Sequence, residues 1–225
     1  MSGINLKVFQ FFSTLAENNN REWFESHKPM FKELESGVKI FVKEIESGLQ
    51  EHDKIEKVKI FRIYRDVRFS KNKTPYKTHF GIAFHRVKPA LRGGYYIHLE
   101  PKNSFLGVGF WAPEPKDLFR IRKELELDAK EFREIMADPT FRKYWGALQG
   151  DEVKTAPKGF SKEHSNIDLI RKKQYTFYKQ LSDDQVMSKD FSNLLDEHFM
   201  HIRPFFDYMS SVLTTDLNGE SLLNK

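Results

Sequence analysis

Apolar residues change their spacing twice along this chain, and that double switch restricts the fold more than any other feature. Leu6, Phe9, Phe12 and Leu15 recur at helical intervals, with Asn5 placed to cap them. Trp23, Phe24, Phe31, Leu34, Val38, Phe41, Ile45 and Leu49 continue the pattern to about Glu51. Asn18-Asn19-Asn20 interrupts it, and Pro29 predicts a short helix followed by a restart. From Val58 the period becomes two. Val58 to Arg65, Gly81 to Val87, Tyr95 to Glu100 and Phe105 to Trp111 predict strands. Gly93-Gly94 and Pro101-Lys102-Asn103 leave gaps too short for helical crossovers, which makes the pairing antiparallel.

After Pro113 the helical spacing returns over Asp117 to Leu125 and Ala129 to Ala137, with a short turn after Pro139. Lys154 to Phe160 predicts loop, Tyr175 to Tyr178 one more strand, and Ser188 to Leu213 a long helix bent at Pro204. No repeat, low-complexity tract or linker interrupts this order. The expected fold is therefore α+β, one domain over residues 1–225. It is helical over 5–51, sheet over 58–111 and mostly helical over 114–213, so the antiparallel sheet is flanked by N- and C-terminal helices.

Composition supplies the core and removes some chemistry. The 21 Phe, 8 Tyr and 3 Trp of the 225 residues carry ample apolar area. With no Cys there are no disulfides, thiolate nucleophiles or zinc–thiolate sites. No apolar run approaches the ~20 residues of a membrane span. Met1 to Asn20 reads as an amphipathic helix carrying Glu17, not as a cleavable signal. The expected setting is cytoplasmic.

Charge is sorted along the chain. Lys57 to Arg92 holds eleven Lys or Arg against a single acid, Asp66, a local +10 in a chain whose total is +5. The remaining sequence therefore carries −5. Segregation of this kind builds a field that gathers anions. Read as a strand, Arg62, Tyr64, Asp66 and Arg68 share one face, and Phe61, Ile63, Val67 and Phe69 share the other with Arg65. The polar turn from Ser70 to Pro75 then offers ammonium, hydroxyl and N–H donors. Ligand binding is expected at Arg62, Arg65, Arg68, Lys71, Lys73, Tyr76 and Lys77. At least four of the six cations among them should converge on one concavity. Asp66 and His79, thirteen residues apart across the turn, are candidate proton carriers. The plainer alternative is a solvated turn in which Asp66 bridges Arg62 or Arg68.

The run from Phe61 to Gly81, together with Asn20-Arg21-Glu22-Trp23-Phe24 and Pro157-Lys158-Gly159-Phe160, resembles the conserved-hypothetical family termed domain of unknown function 2461. The resemblance covers nearly the whole chain. It implies an α+β domain, and it implies neither an activity nor catalytic residues.

Sharper motifs fail on their own terms. Tyr64-Arg65-Asp66 followed by Asn72 lacks the His and the spacing of a kinase catalytic loop, and no phosphate-binding Gly-rich loop precedes a helix. Aromatic and basic residues interleave at Phe61 to Phe69, but Arg and Ile occupy places an RNA-recognition strand needs small. His198 with His201 beside Glu197, and His98 with Glu100, each offer two metal ligands. Neither pair has a third in register, so no metal site and no cofactor is assigned. Gly107 and Gly109 leave room beside Phe105 and Trp111 for a ligand, with the aromatics as pocket wall, or, more commonly, for a packed helix. Ser70, Thr74 and Thr78 are hydroxyls that no pattern singles out as a nucleophile. The sequence thus points to a small phosphorylated or carboxylated ligand, catalysis left open. The rivals are a nucleic-acid backbone and a purely structural island tying the sheet to acidic helices. It identifies no membrane partner and no oligomeric state.

Overall fold

In the computed structural model, which describes residues 3–223, the fold is α+β. Two helices, α1 (Leu6–Glu17) and α2 (Arg21–His52), precede four strands: β1 (Ile55–Ile60), β2 (Phe80–Arg86), β3 (Gly94–Leu99) and β4 (Ser104–Phe110). Then come α3 (Pro115–Leu127), α4 (Lys130–Ala137), α5 (Pro139–Trp145) and the short α6 (Ile167–Ile170). The strand β5 (Tyr175–Leu181) and helices α7 (Asp183–Met187), α8 (Phe191–His201) and α9 (Arg203–Thr214) complete the described residues. The sheet is antiparallel with strands in the order β1-β2-β3-β4-β5, so each strand lies beside its neighbour in sequence.

The chain divides into two compact units, one of Met1–Phe84, Tyr96–Leu106 and Gln180–Glu197, the other of His85–Tyr95, Gly107–Lys179 and His198–Lys225. In the first, α1 packs along α2, and Phe11, Phe12, Phe31 and Phe80 form one aromatic cluster with ring centroids 5.0–5.9 Å apart. Farther along α2, Phe41 stacks flat on Phe191 at 5.4 Å. In the second, Phe205 stands edge-on to Phe177 and Tyr95 edge-on to Phe206, each pair 5.1 Å apart, above a core that includes Ile121, Leu125, Phe132 and Trp145. Edge-to-face pairs of this kind add to the area the rings already bury.

Four differences from the periodicity have local causes. Helix α2 runs without interruption through Pro29, where a restart was expected. Pro29 lies on the exposed side, while Phe24, Phe31, Leu34, Val38, Phe41, Val42, Ile45 and Leu49 form one buried stripe. Each such side chain is worth ~1.5–3 kcal/mol, so the stripe as a whole outweighs the ~3 kcal/mol of one interior proline. The first strand is Ile55–Ile60, not Val58 to Arg65, and beyond it the alternation lapses: Ile63 is buried, but Phe69, expected on the core face, is 97 % exposed. The expected long final helix is two, broken at Ile202, because Pro204 cannot donate to the preceding turn and instead sits in the first turn of α9. Finally, the turn after Pro139 is a helix capped by Asp138, and α7 opens on a capping box formed by Ser182 and Gln185.

Candidate functional site

Three consecutive asparagines between α1 and α2 do three different jobs. Asn18 ends α1, its side chain donating to the Thr14 carbonyl. Asn20 caps α2 by accepting from the Trp23 N–H at 2.9 Å. Asn19 reaches into another part of the chain: its amide accepts from the Tyr76 N–H at 3.1 Å and donates to the Tyr76 carbonyl at 3.0 Å. One side chain thus supplies Tyr76 with the pair of bonds a neighbouring strand would give. Tyr76 is buried and stacks on Phe24, centroids 4.1 Å apart.

Opposite this clamp the chain from Phe61 to Arg65 runs antiparallel to Pro75–Gly81. The bonds Phe61 N–H to Gly81, Lys77 N–H to Ile63 and Arg65 N–H to Pro75 span 2.8–2.9 Å, with a lone bridge between Tyr64 and Tyr76. The tip beyond is held by its own polar groups. Arg68 grips Asp66 through Nε and Nη2, at 3.0 and 2.7 Å. Lys73 Nζ donates to the Val67 carbonyl, Asn72 accepts from both the N–H and hydroxyl of Thr74, and Arg65 Nη1 donates to Thr74 Oγ1.

Between the clamp and this strand pair lies a cavity of about 310 Å³ lined by Arg21, Glu25, Tyr64, Arg65, Val67, Pro75 and Tyr76. Glu25 is paired with Lys28 at 2.9 Å. Among the described residues, no carboxylate lies within ion-pairing distance of Arg21 or Arg65. Burial raises the Tyr76 phenol above its ordinary value, with nearby Tyr64 adding to the rise, so Tyr76 stays a neutral hydrogen-bond donor and acceptor. Two unneutralised guanidiniums and two phenols around one concavity can hold an anion by charge-assisted bonds.

The convergence expected of the island is not found at this cavity. Of the seven predicted ligand residues, it takes Arg65 and Tyr76. Arg68 is spent on Asp66, Lys73 on a loop carbonyl, and Lys77 on the Arg62 carbonyl at 3.0 Å. Arg62 and Lys71 are exposed. Burial, then Arg62 and Lys59, lower the Lys77 ammonium from its ordinary value. Farther on, Arg86 and Arg92 belong to the architecture of the second unit. The Arg86 guanidinium is fully buried, donating to the Arg92 carbonyl at 2.7 Å and to Ser210 Oγ at 3.3 Å, and lies over the Phe206 ring. Arg92 pairs with Asp117. These two residues tie their segment to α9 and α3, not to the acidic stretch from Glu33 to Glu51.

Nor do Asp66 and His79 pair. Asp66 is exposed, and its bond from Arg68 holds its carboxyl below the usual range. His79 lies instead against His98, ring centroids 4.0 Å apart, with Glu100 beside them. Burial and the His98 ring push the His79 imidazole down to about 4, with Lys77 and Arg65 adding to the drop. The Glu100 carboxyl is raised by burial, but bonds from Thr78 (2.6 Å), Asn103 (2.7 Å) and His98 (3.3 Å) together leave it below its ordinary value. His198 and His201 pack around Tyr144, whose ring stacks on His201 at 4.1 Å. Gly109 leaves space for neither ligand nor helix: at φ +117°, a Cβ there would meet the Tyr175 carbonyl of β5.

Residues 7–208 match the family described as Conserved hypothetical protein (DUF2461). The chain belongs to this family. No curated protein and no solved structure matches it. Two of the runs that carry the resemblance line the cavity: Arg21 lies in Asn20-Arg21-Glu22-Trp23-Phe24, and Tyr64, Arg65 and Tyr76 lie in Phe61–Gly81. Sequence reasoning missed Arg21 because it weighed charge density within one segment, and this arginine stands alone. Its one signal was its position, first residue of a long helix and directly after the cap. No helix among the described residues is long and apolar enough to cross a membrane.

Proposed function

We propose that the protein binds a small phosphorylated or carboxylated molecule in the cavity lined by Arg21, Tyr64, Arg65 and Tyr76, and that it does so in the cytoplasm. One observation carries the reading: two guanidiniums with no carboxylate within ion-pairing distance among the described residues line a cavity of about 310 Å³, a size at the small end of ligand sites. Arg21 stands in the opening turn of α2, where the partial positive charge of the helix N-terminus favours an anion further. The donors would orient the ligand. Asp66 is paired with Arg68 and does not line the cavity, so no proton transfer is assigned to it.

A thermal-shift series with phosphate, pyrophosphate, citrate and a single-stranded oligonucleotide tests this, since a ligand of the folded state raises its stability. A small anion should raise the melting temperature saturably. Arg21→Ala or Arg65→Ala should weaken that binding by about 1.5–3 kcal/mol, the scale of a hydrogen bond to a charged group. Arg62→Ala should leave it unchanged. A response indifferent to both Arg21 and Arg65 removes the proposal. Oligonucleotide binding that grows with length and survives ~150 mM salt would transfer the function to nucleic acid, whose phosphate contacts weaken steeply with salt.

A further inference from the structure

His79, His98 and Glu100 are the one group of three or more His or acidic side chains among the described residues whose potential ligand atoms all lie within 4.8 Å of one another. Sequence spacing had offered His98 and Glu100 as two ligands, and the fold supplies the third. Glu100 directly follows β3, and its Oε2 lies 3.3 Å from His98 Nε2, so the two side chains stand on the same side of the sheet edge. His79 stands immediately before Phe80, the first residue of the neighbouring strand β2, and the strand pairing brings its ring over that of His98. We propose that these three residues bind a borderline divalent transition-metal ion, zinc foremost, as two imidazole ligands and one carboxylate.

The geometry fits the ion with little movement. Two donors held at ~2.1 Å around a tetrahedral ion stand about 3.4 Å apart. His98 Nε2 and Glu100 Oε2 are already 3.3 Å apart. Neither ring nitrogen of His79 has a hydrogen-bond partner among the described residues, so nothing need be broken for it to close the remaining distance. Two nitrogens and one oxygen suit zinc, cobalt or nickel better than magnesium or calcium, which prefer oxygen throughout.

An outer ring of bonds orients the ligands. Tyr96 Oη lies 3.1 Å from His98 Nδ1. With Nε2 on a metal, Nδ1 carries the proton and donates it to that phenol, as a metal-bound histidine ordinarily does to a neighbour. Thr78 and Asn103 hold the two carboxylate oxygens of Glu100. Gly81 makes the Tyr96 position available: a Cβ there would come within 2.6 Å of the phenolic oxygen. Phe105 stacks on His98 at 4.6 Å and screens it on another side. Three protein ligands leave a fourth position for water or an anion, the arrangement of catalytic rather than structural zinc.

The rival is a metal-free relay, in which Tyr96 donates to His98 Nδ1 and His98 Nε2–H donates to Glu100. Titration calorimetry of the untagged, chelator-stripped protein with zinc chloride separates the two, with cobalt absorption as a second reading. One ion should bind per chain. His79→Gln and Glu100→Gln should each weaken it by more than the roughly 10–100-fold typical of losing an outer partner, and Tyr96→Phe by about tenfold. His201→Gln, the control at the other histidine pair, and Arg21→Ala should leave it unchanged. Circular dichroism verifies that each variant is folded, and Glu100→Gln keeps the test open if a histidine variant is not. No stoichiometric binding by the folded wild type, or binding indifferent to His79→Gln and Glu100→Gln, would overturn the site in favour of the relay.

Discussion

The imidazole of His79 lies against that of His98, centroids 4.0 Å apart at an interplanar angle of 34°, so a proton on either ring is opposed by the other. His79 is also buried enough that its proton affinity falls from 6.5 to about 4. The unfolded chain protonates this residue near 6.5 and the folded protein only near 4, so between those values the unfolded state binds more protons. Stability must then decrease as pH falls through that window. Urea denaturation in chelator at pH 7 and pH 5 should show the loss, and His79→Gln should reduce it. An equal loss in the variant would assign the acid sensitivity elsewhere.

Asn19 should matter beyond its exposure. It makes two bonds to the backbone of the buried Tyr76, and its removal leaves both groups to find new partners. Asn19→Ala should cost about 1–3 kcal/mol, against ~1 kcal/mol for removing the helix cap in Asn20→Ala. Because Asn19 fixes one wall of the cavity, its loss should also weaken anion binding. Chemical denaturation and the same thermal-shift assay report the two effects separately.

The basic island should split by stability when its arginines are removed one at a time. Arg86 is buried against the Arg92 carbonyl, Ser210 and the Phe206 ring, so Arg86→Ala leaves a buried acceptor unpaired and opens a cavity. A loss of ~3 kcal/mol or more is expected. Arg62 is exposed, and Arg62→Ala should stay within ~0.5 kcal/mol of wild type. Similar costs at the two positions would contradict this division.

Gly109→Ala should be destabilising although the position is only partly buried. Its φ of +117° is one that L side chains rarely adopt, and the added Cβ would fall 2.2 Å from the Tyr175 carbonyl, a backbone atom that cannot step aside. The expected cost exceeds the ~1 kcal/mol of an ordinary glycine replacement, measurable as a lower denaturation midpoint with unchanged slope. A neutral substitution would mean that β4 and β5 can separate locally at no cost.

What the sequence determined by itself is what neighbours along the chain decide. Spacing of Leu6 to Leu15 placed α1, Asn5 capped it as expected, and the period-two runs placed β2, β3 and β4 within a residue at each end. Together with the short turns these required an antiparallel α+β fold, which is the one observed. The same local reasoning failed where a local rule met a longer-range one. Pro29 by itself predicts a restart, but a buried stripe extending from Phe24 to Leu49 carries α2 through it.

The candidate sites were legible only in part, for the same reason. Charge density is a property of a segment: of the seven residues expected to bind a ligand, Arg65 and Tyr76 line the cavity, and the other five bind their own loop or face solvent. Arg21 and Tyr76 stand 55 positions apart, and the bonds from Asn19, two residues before Arg21, to the Tyr76 backbone bring them to one cavity. His79 likewise meets His98 and Glu100 only because β2 and β3 pair in one register. Periodicity reports which face a side chain takes. Which distant side chain stands opposite depends on strand register and on single long-range hydrogen bonds, and these are settled only when the whole chain has packed.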